Sequence, residues 1–161
     1  MSVKYILYNP LSCNGKGTEL AKKLAEIYKD DELKYCNMTQ ISGYGTFFDS
    51  ISPESDIVLC GGDGTLNRFI NDSDGYPYEN PLYYYGTGSG NDFLRDLGME
   101  QGCEPVRINE YVRNLPIVTV NGKSSRFINA IGYGIDGYCC EKGDEPVSYT
   151  HLRAHETSLH L

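Results

Sequence analysis

Five consecutive residues, Gly61, Gly62, Asp63, Gly64 and Thr65, follow the apolar run Asp56 to Cys60 (DIVLC) and precede Leu66, Phe69 and Ile70 at helical spacing. Glycines between a strand and a helix let the backbone turn sharply and bring its N–H groups against a ligand with no Cβ in the way. The helix N-terminus that follows favours a phosphate. Asp63 puts a carboxylate beside such a phosphate, where it organises Mg2+ or accepts a proton. A plain tight turn also uses Asp and Gly, but five specified residues in strand-to-helix context favour a nucleotide-phosphate loop. Because Asp63 stands in a loop and not at an apolar core position, its replacement is expected to cost little stability.

A second glycine loop, Gly86 to Phe93 (GTGSGNDF), follows the strand-like LYYY (Leu82 to Tyr85) and again opens a helix. Loops at the carboxyl ends of neighbouring parallel strands face one crevice, so both glycine loops can meet on one ligand. Asn91 and Asp92 also fit the simpler role of capping the following helix. A third loop, Asn9 to Gly17 (NPLSCNGKG), contains Lys16 but lacks the GxxxxGK[ST] spacing of a P-loop. Thr39, just after a weaker strand, could place a hydroxyl in the same crevice, although an exposed loop threonine is the ordinary role.

The elements that must position these residues alternate. Lys4 to Tyr8, Leu33 to Met38, Asp56 to Cys60 and Leu82 to Tyr85 read as strands. Between and after them come Thr18 to Lys29 (an amphipathic helix with Leu20, Leu24, Ile27 and Tyr28 on one face), Gly43 to Ser52, a helix from Leu66, and Asp92 to Leu97. The fold class expected is α/β, an open parallel sheet with flanking helices. After about residue 105 the style changes: Leu115 to Val120 and Ser125 to Ile131 read as strands around Asn121 and Gly122, a strong hairpin signal that begins an incomplete antiparallel region. Residues 1–110 thus form a nucleotide-binding α/β domain and 111–140 the start of a truncated β-rich second domain, with 141–161 an atypical tail. Ser148 to Leu161 resembles spurious appended sequence. It holds all three histidines; His151 and His155 stand at i, i+4 but lack a third ligand, so no metal site is assigned.

Composition narrows the class. The 161 residues fit one main core, 40% are apolar, and no stretch approaches the roughly 20 apolar residues of a bilayer-spanning helix. The beginning of the chain lacks a leader pattern, and the six cysteines form no CxxC pair, so reduced thiols and a cytoplasmic location are expected. A net charge of −8 argues against general affinity for nucleic acid or an anionic membrane surface. An anionic ligand must therefore be held locally.

Asn9, Pro10 and Ser12 at the first strand end, GGDGT with Leu66 and Asn67, and GSGNDF at Gly88 to Phe93 together resemble the catalytic domain of diacylglycerol kinases, bacterial lipid kinases and sphingosine kinases. Phe127 to Gly137 (FINAIGYGIDG) is similar to that family's stretch leading into its second domain, so the resemblance runs from about Val3 to Gly137. It implies ATP held by the glycine loops, Mg2+ on the phosphates, and transfer of the terminal phosphate to a lipid alcohol. Asn9, Ser12, Thr39, Gly61, Gly62, Gly64 and Thr65 fall among the implied nucleotide-binding positions, as do Gly88, Ser89, Gly90, Asn91 and Asp92 in the second loop. Asp63 takes the implied catalytic position.

The sequence departs from the family pattern at Cys13, where Gly is common, and at Tyr85 to Thr87, where a Pro-containing approach is usual. The resemblance also implies a β-rich second domain that supplies an acidic general base and any peripheral membrane contact. That base has no counterpart in this chain, which is therefore expected to be a fragment inactive towards lipid on its own. A homodimer is compatible with the pattern. Two other readings stand beside it: an NAD kinase-like enzyme, since GGDGT occurs there too, and a nucleotide-binding chain without catalysis.

Overall fold

The structure, a computed structural model, describes residues 3–99 and 104–131. Cys103, Cys139, Cys140, the three histidines, the tail 141–161 and the part of FINAIGYGIDG beyond Ile131 lie outside the described residues. The chain divides into two compact units, and everything below concerns the first, Met1–Asn129.

Strands β1 (Val3–Tyr8) and β3 (Asp56–Gly61) carry apolar residues at both parities, so both faces of their sheet must be covered. Ile6, Leu7, Ile57, Val58 and Leu59 are accordingly buried without exposure. β2 (Glu32–Asn37) and β4 (Leu82–Gly86) flank them, and β5 (Val106–Arg107) closes the edge, in the order β2-β1-β3-β4-β5. The first four strands run parallel, and β5 is antiparallel to β4. The sequence gives little sign of β5, since two residues carry no periodicity.

Between β1 and β2, the turn α1 (Ser12–Gly15) precedes helices α2 (Gly17–Lys22) and α3 (Leu24–Ile27). The expected single helix is interrupted only at Lys23, which keeps helical torsions, and it stops at Tyr28. Ala21 and Leu24 bury one face of the sheet with Ile6, Val58 and Cys60. The opposite face is covered by α4 (Tyr44–Asp49), α5 (Asp63–Asp72) and α6 (Asp92–Asp96), whose Phe48, Leu66, Phe69 and Phe93 pack on Leu7, Leu59, Leu82 and Tyr84. Phe69 is the hub of an aromatic set, edge-on to Tyr44 at 5.3 Å and to Tyr78 at 6.1 Å. Truncating such a residue to Ala costs about 3–5 kcal/mol.

The short helix α7 (Asn109–Val112) follows β5, and Asn109 pins the start of β4 by accepting from the Leu82 N–H at 2.8 Å and donating to the Asn80 carbonyl at 3.0 Å. The hairpin comprises β6 (Ile117–Val120) and β7 (Lys123–Arg126). Asn121 and Gly122 both have positive φ (51° and 77°), the torsions of a two-residue type I′ turn. β7 is thus displaced from the expected Ser125 to Ile131, because the turn sets the register and pairs Val120 with Lys123. Asn71 at the end of α5 holds the hairpin: its side chain accepts from the Arg126 N–H at 2.9 Å and donates to the Arg126 carbonyl at 3.0 Å. Ile117 and Val120 remain 57% and 59% exposed.

At the amino edge of the sheet, Lys4 reaches Asp56 at 2.5 Å and Asp31 at 3.5 Å. Burial opposes its charge, but the two carboxylates outweigh burial and hold its pKa above the ordinary value. Burial also pushes Tyr28 and Cys60 up to about 12. Raised folded-state values contribute stability that is present below the unfolded pKa and lost as pH rises through the folded one. The melting temperature, followed by circular dichroism, should therefore stay level up to about pH 8.5 and fall progressively towards pH 12. A melting temperature that is constant or rising across that range would show that these groups are not linked to folding.

Candidate functional site

Because β1 to β4 are parallel, the segments after their carboxyl ends all lie along one edge of the sheet. β1 is followed in space by β2 on one side and β3 on the other, with the connecting helices on opposite faces. This is a topological switch point, where an open α/β sheet leaves a crevice beyond its strand ends. The loops after β1 (Asn9–Gly17), β3 (Gly61–Thr65) and β4 (Gly86–Phe93) converge there, and Thr39 follows β2 on the same edge.

The two glycine loops touch through their backbones. The Thr87 N–H donates to the Gly61 carbonyl at 2.8 Å, and a Cβ built on Gly88 would lie 2.7 Å from Gly62 Cα. No side chain larger than hydrogen fits that crossing without separating the loops. Asn91 adopts a left-handed conformation (φ 49°) and turns its buried side chain back on its own loop, accepting from the Gly88 N–H at 3.0 Å and donating to the Gly88 carbonyl at 2.8 Å.

Asn91 therefore does not cap α6, nor does Asp92, which is exposed and pairs with Arg95 at 2.8 Å. The cap comes from the other loop: Asp63 accepts from the Asp92 N–H at 2.9 Å with one carboxylate oxygen and from the Phe93 N–H at 3.2 Å with the other. Charge-assisted bonds at a helix N-terminus are among the stronger ones. The expectation that replacing Asp63 costs little stability now stands against these two bonds, by which its carboxylate fastens α6 to the start of α5.

The N-terminus of α5 itself is open. Its N-cap residue, Gly62, offers no side chain, and the Gly62 carbonyl takes the Thr65 and Leu66 N–H groups at 2.9 and 3.1 Å. The Asp63 and Gly64 N–H groups ahead of them find no acceptor among the described residues. Gly64 is exposed, has nothing within 4 Å of a built Cβ, and shows no positive φ. Neither conformation nor internal packing calls for glycine there, whereas close approach of a ligand to the backbone does. Thr65 packs its side chain on Gly61, with a built Cβ 2.5 Å from the hydroxyl oxygen.

The first loop is built on Asn9. Its side chain accepts from the Leu11 N–H at 3.0 Å, its carbonyl takes the Ser12 hydroxyl at 2.7 Å, and Gly17 packs so tightly on that carbonyl that a Cβ would collide with it. Ser12 thus spends its donor inside the loop. Cys13 and Asn14 are left-handed (φ 54° and 58°), which explains why Gly suits this place, and the Cys13 thiol crosses to the second loop, donating to the Thr87 carbonyl at 3.2 Å. Thr39 is exposed, and its hydroxyl and N–H both go to the Asn37 side chain at 2.9 and 3.0 Å. Ser89 and Gly90 form the exposed tip of the second loop.

Sequence reasoning missed Tyr84. This β4 residue is fully buried, and its hydroxyl has no hydrogen-bond partner among the described residues. Burial, then Asp63, Cys60 and Cys13, hold the phenol well above its usual pKa, so it remains a neutral donor beneath the three loops. An apolar position in LYYY gave no hint of that.

With the geometry set, comparison with known families decides the relationship: the family described as diacylglycerol kinase catalytic domain matches residues 4–120. The chain belongs to this family. The match spans β1 through β6, so all three convergent loops lie inside it. The diacylglycerol kinase catalytic domain is a kinase-type phosphotransferase domain, which agrees with the uncapped N-terminus of α5. No curated protein matches the chain. Among the described residues no helix is long and apolar enough to cross a membrane, and no cluster of three or more His, Cys, Asp or Glu side chains is placed to hold a metal by itself.

Removing the Asp63 clasp tests its structural role. Asp63→Ala should lower the urea unfolding free energy by about 1–2 kcal/mol, the usual loss for an N-cap. Asp63→Asn, which keeps one acceptor oxygen, should lose less. An unchanged midpoint in both variants would mean that the two loops hold together without it.

Proposed function

We propose that the crevice binds ATP with its phosphates at the open N-terminus of α5, and that the terminal phosphate is passed to the hydroxyl of a lipid alcohol. The observation that carries the reading is the contrast between two helix starts at one sheet edge. The N-terminus of α6 is occupied by Asp63, whereas that of α5 presents unbonded N–H groups beside a glycine with no internal reason to be one. Family membership supplies the direction of the chemistry.

On this reading the residues 61–65 take the phosphates through backbone N–H groups, and Thr65 adds a hydroxyl. Gly88, Ser89 and Gly90 form the facing wall, Asn91 and Asp92 hold that wall in shape, and Asn9 and Ser12 shape the third side. Thr39 stands at the far end, towards β2. Each oxygen of Asp63 keeps a lone pair after capping α6, so the carboxylate is suited to orient Mg2+ through its free side. The bound cation would supply neutralisation of phosphate charge, the main requirement of phosphoryl transfer besides positioning. Asp63 then couples catalysis to loop geometry. The general base is assigned to none of these residues.

Binding to the folded chain alone raises its melting temperature, by the equivalent of about 2.7 kcal/mol at a hundredfold excess over Kd. ATP with Mg2+ should thus stabilise the wild-type chain in thermal shift and give heat in titration calorimetry. Gly64→Val, whose added side chain projects into the open space, should abolish both while leaving the ligand-free melting temperature within a few degrees. Equal stabilisation of the variant would move the nucleotide elsewhere. Phosphate transfer to diacylglycerol in preference to NAD, measured with the whole protein, then separates a lipid kinase from an NAD kinase.

A further inference from the structure

A cavity lies outside the crevice. It encloses about 420 Å3 and is lined by Ile70, Ser73, Tyr76, Tyr78, Arg113 and Arg126, among others. Its lining includes the segment after the C-terminal end of α5 together with Asn109, which anchors the amino end of β4. The cavity therefore opens at the amino edge of the parallel sheet, with the length of α5, about 15 Å for ten residues, between it and the glycine loops.

Its polar groups divide into used and unused. Arg126 is committed, donating to Asp74 at 2.9 Å and to the Leu115 carbonyl at 3.3 Å, so the Asp74 charge is already answered. Arg113 is exposed and makes no ion pair or hydrogen bond among the described residues. The Ser73 and Tyr78 side chains also line the cavity, and Ser73 is only 6% exposed. Burial raises Tyr78 to about 12 and the Arg113 guanidinium works against that rise, which places the two groups within electrostatic reach of each other. The Tyr78 ring is fixed by stacking on Phe48 at 4.7 Å.

An arginine at a concave, aromatic-walled cavity is suited to receive an anion, since Arg forks match carboxylate and phosphate oxygens. The volume falls within the usual range for small-molecule sites. We propose that this cavity binds a small ring-bearing organic anion, its carboxylate or phosphate held by Arg113 with the Ser73 and Tyr78 hydroxyls and its ring against Tyr76 and Tyr78. It is a second site, separate from the proposed nucleotide crevice. An occupant would bridge the end of α5, α7 and Arg126 of the hairpin.

Ligand-observed NMR titrations of the full chain with phenyl phosphate, benzoate and neutral phenol test this. Phenyl phosphate or benzoate should bind at millimolar concentration, phenol should not, and the two anions separate a phosphate preference from a carboxylate one. Arg113→Gln should weaken the anion about ten-fold, the loss of one charge-assisted hydrogen bond. Tyr78→Phe, which keeps the ring packing, should weaken it less. The proposal is overturned if neither anion binds, if phenol binds as well as they do, or if Arg113→Gln binds like wild type. It is equally overturned if Gly64→Val removes binding that Arg113→Gln leaves intact, since the probe would then occupy the glycine crevice.

Discussion

The Asp63 carboxylate, accepting two backbone N–H groups from the start of α6, is the interaction on which the rest of the crevice depends. A helix of five residues has little stability of its own, because nucleation is unfavourable and few internal bonds follow it. Fastening its N-terminus to a residue of α5 gives α6 a position as well as a cap. From that position the second loop must cross Gly62 at backbone distance, and Asn91 must fold left-handed to close the loop upon itself. The same bond fills one helix N-terminus, while that of α5 has no side-chain cap.

The sheet order supplies the complementary constraint. With β1 between β2 and β3, and these neighbours reached by crossovers on opposite faces, the loops after β1 and β3 diverge at their bases and leave room between them. The Cys13 thiol and the Thr87 backbone then tie the first loop to the second across that room. Membership of the diacylglycerol kinase catalytic domain family fits this layout, because phosphoryl transfer asks mainly for rigid placement of charge and little covalent chemistry from the protein.

The two edges of the sheet carry different sets of polar groups. The amino edge carries the Lys4 ion pairs, the Asn109 bonds that fix β4 and the Asn71 bonds that hold the hairpin. The carboxyl edge carries loops whose donors are partly unspent. The hairpin belongs to the first group by attachment: its Ile117 and Val120 stay in solvent, and Arg126 bonds to Asn71 and Asp74.

Strand-helix alternation, the GGDGT and GSGNDF loops, the Asn121–Gly122 turn and the family were legible in the sequence, because each is written in contiguous residues whose torsions or periodicity are local. Sequence alone assigned Asp63 to phosphate chemistry and allowed Asn91 or Asp92 a simpler role as the α6 cap; the tertiary structure gave the cap to Asp63. That exchange was invisible because the partners lie 29 and 30 residues apart, and only parallel registration of β3 with β4 brings them together. The Cys13 bond to Thr87 spans 74 residues and was hidden for the same reason. β5, the buried Tyr84 hydroxyl and the cavity around Arg113 likewise arise from which elements end side by side. Local propensity names the loops, whereas the strand order and register decide which of their polar groups meet each other and which remain for a ligand.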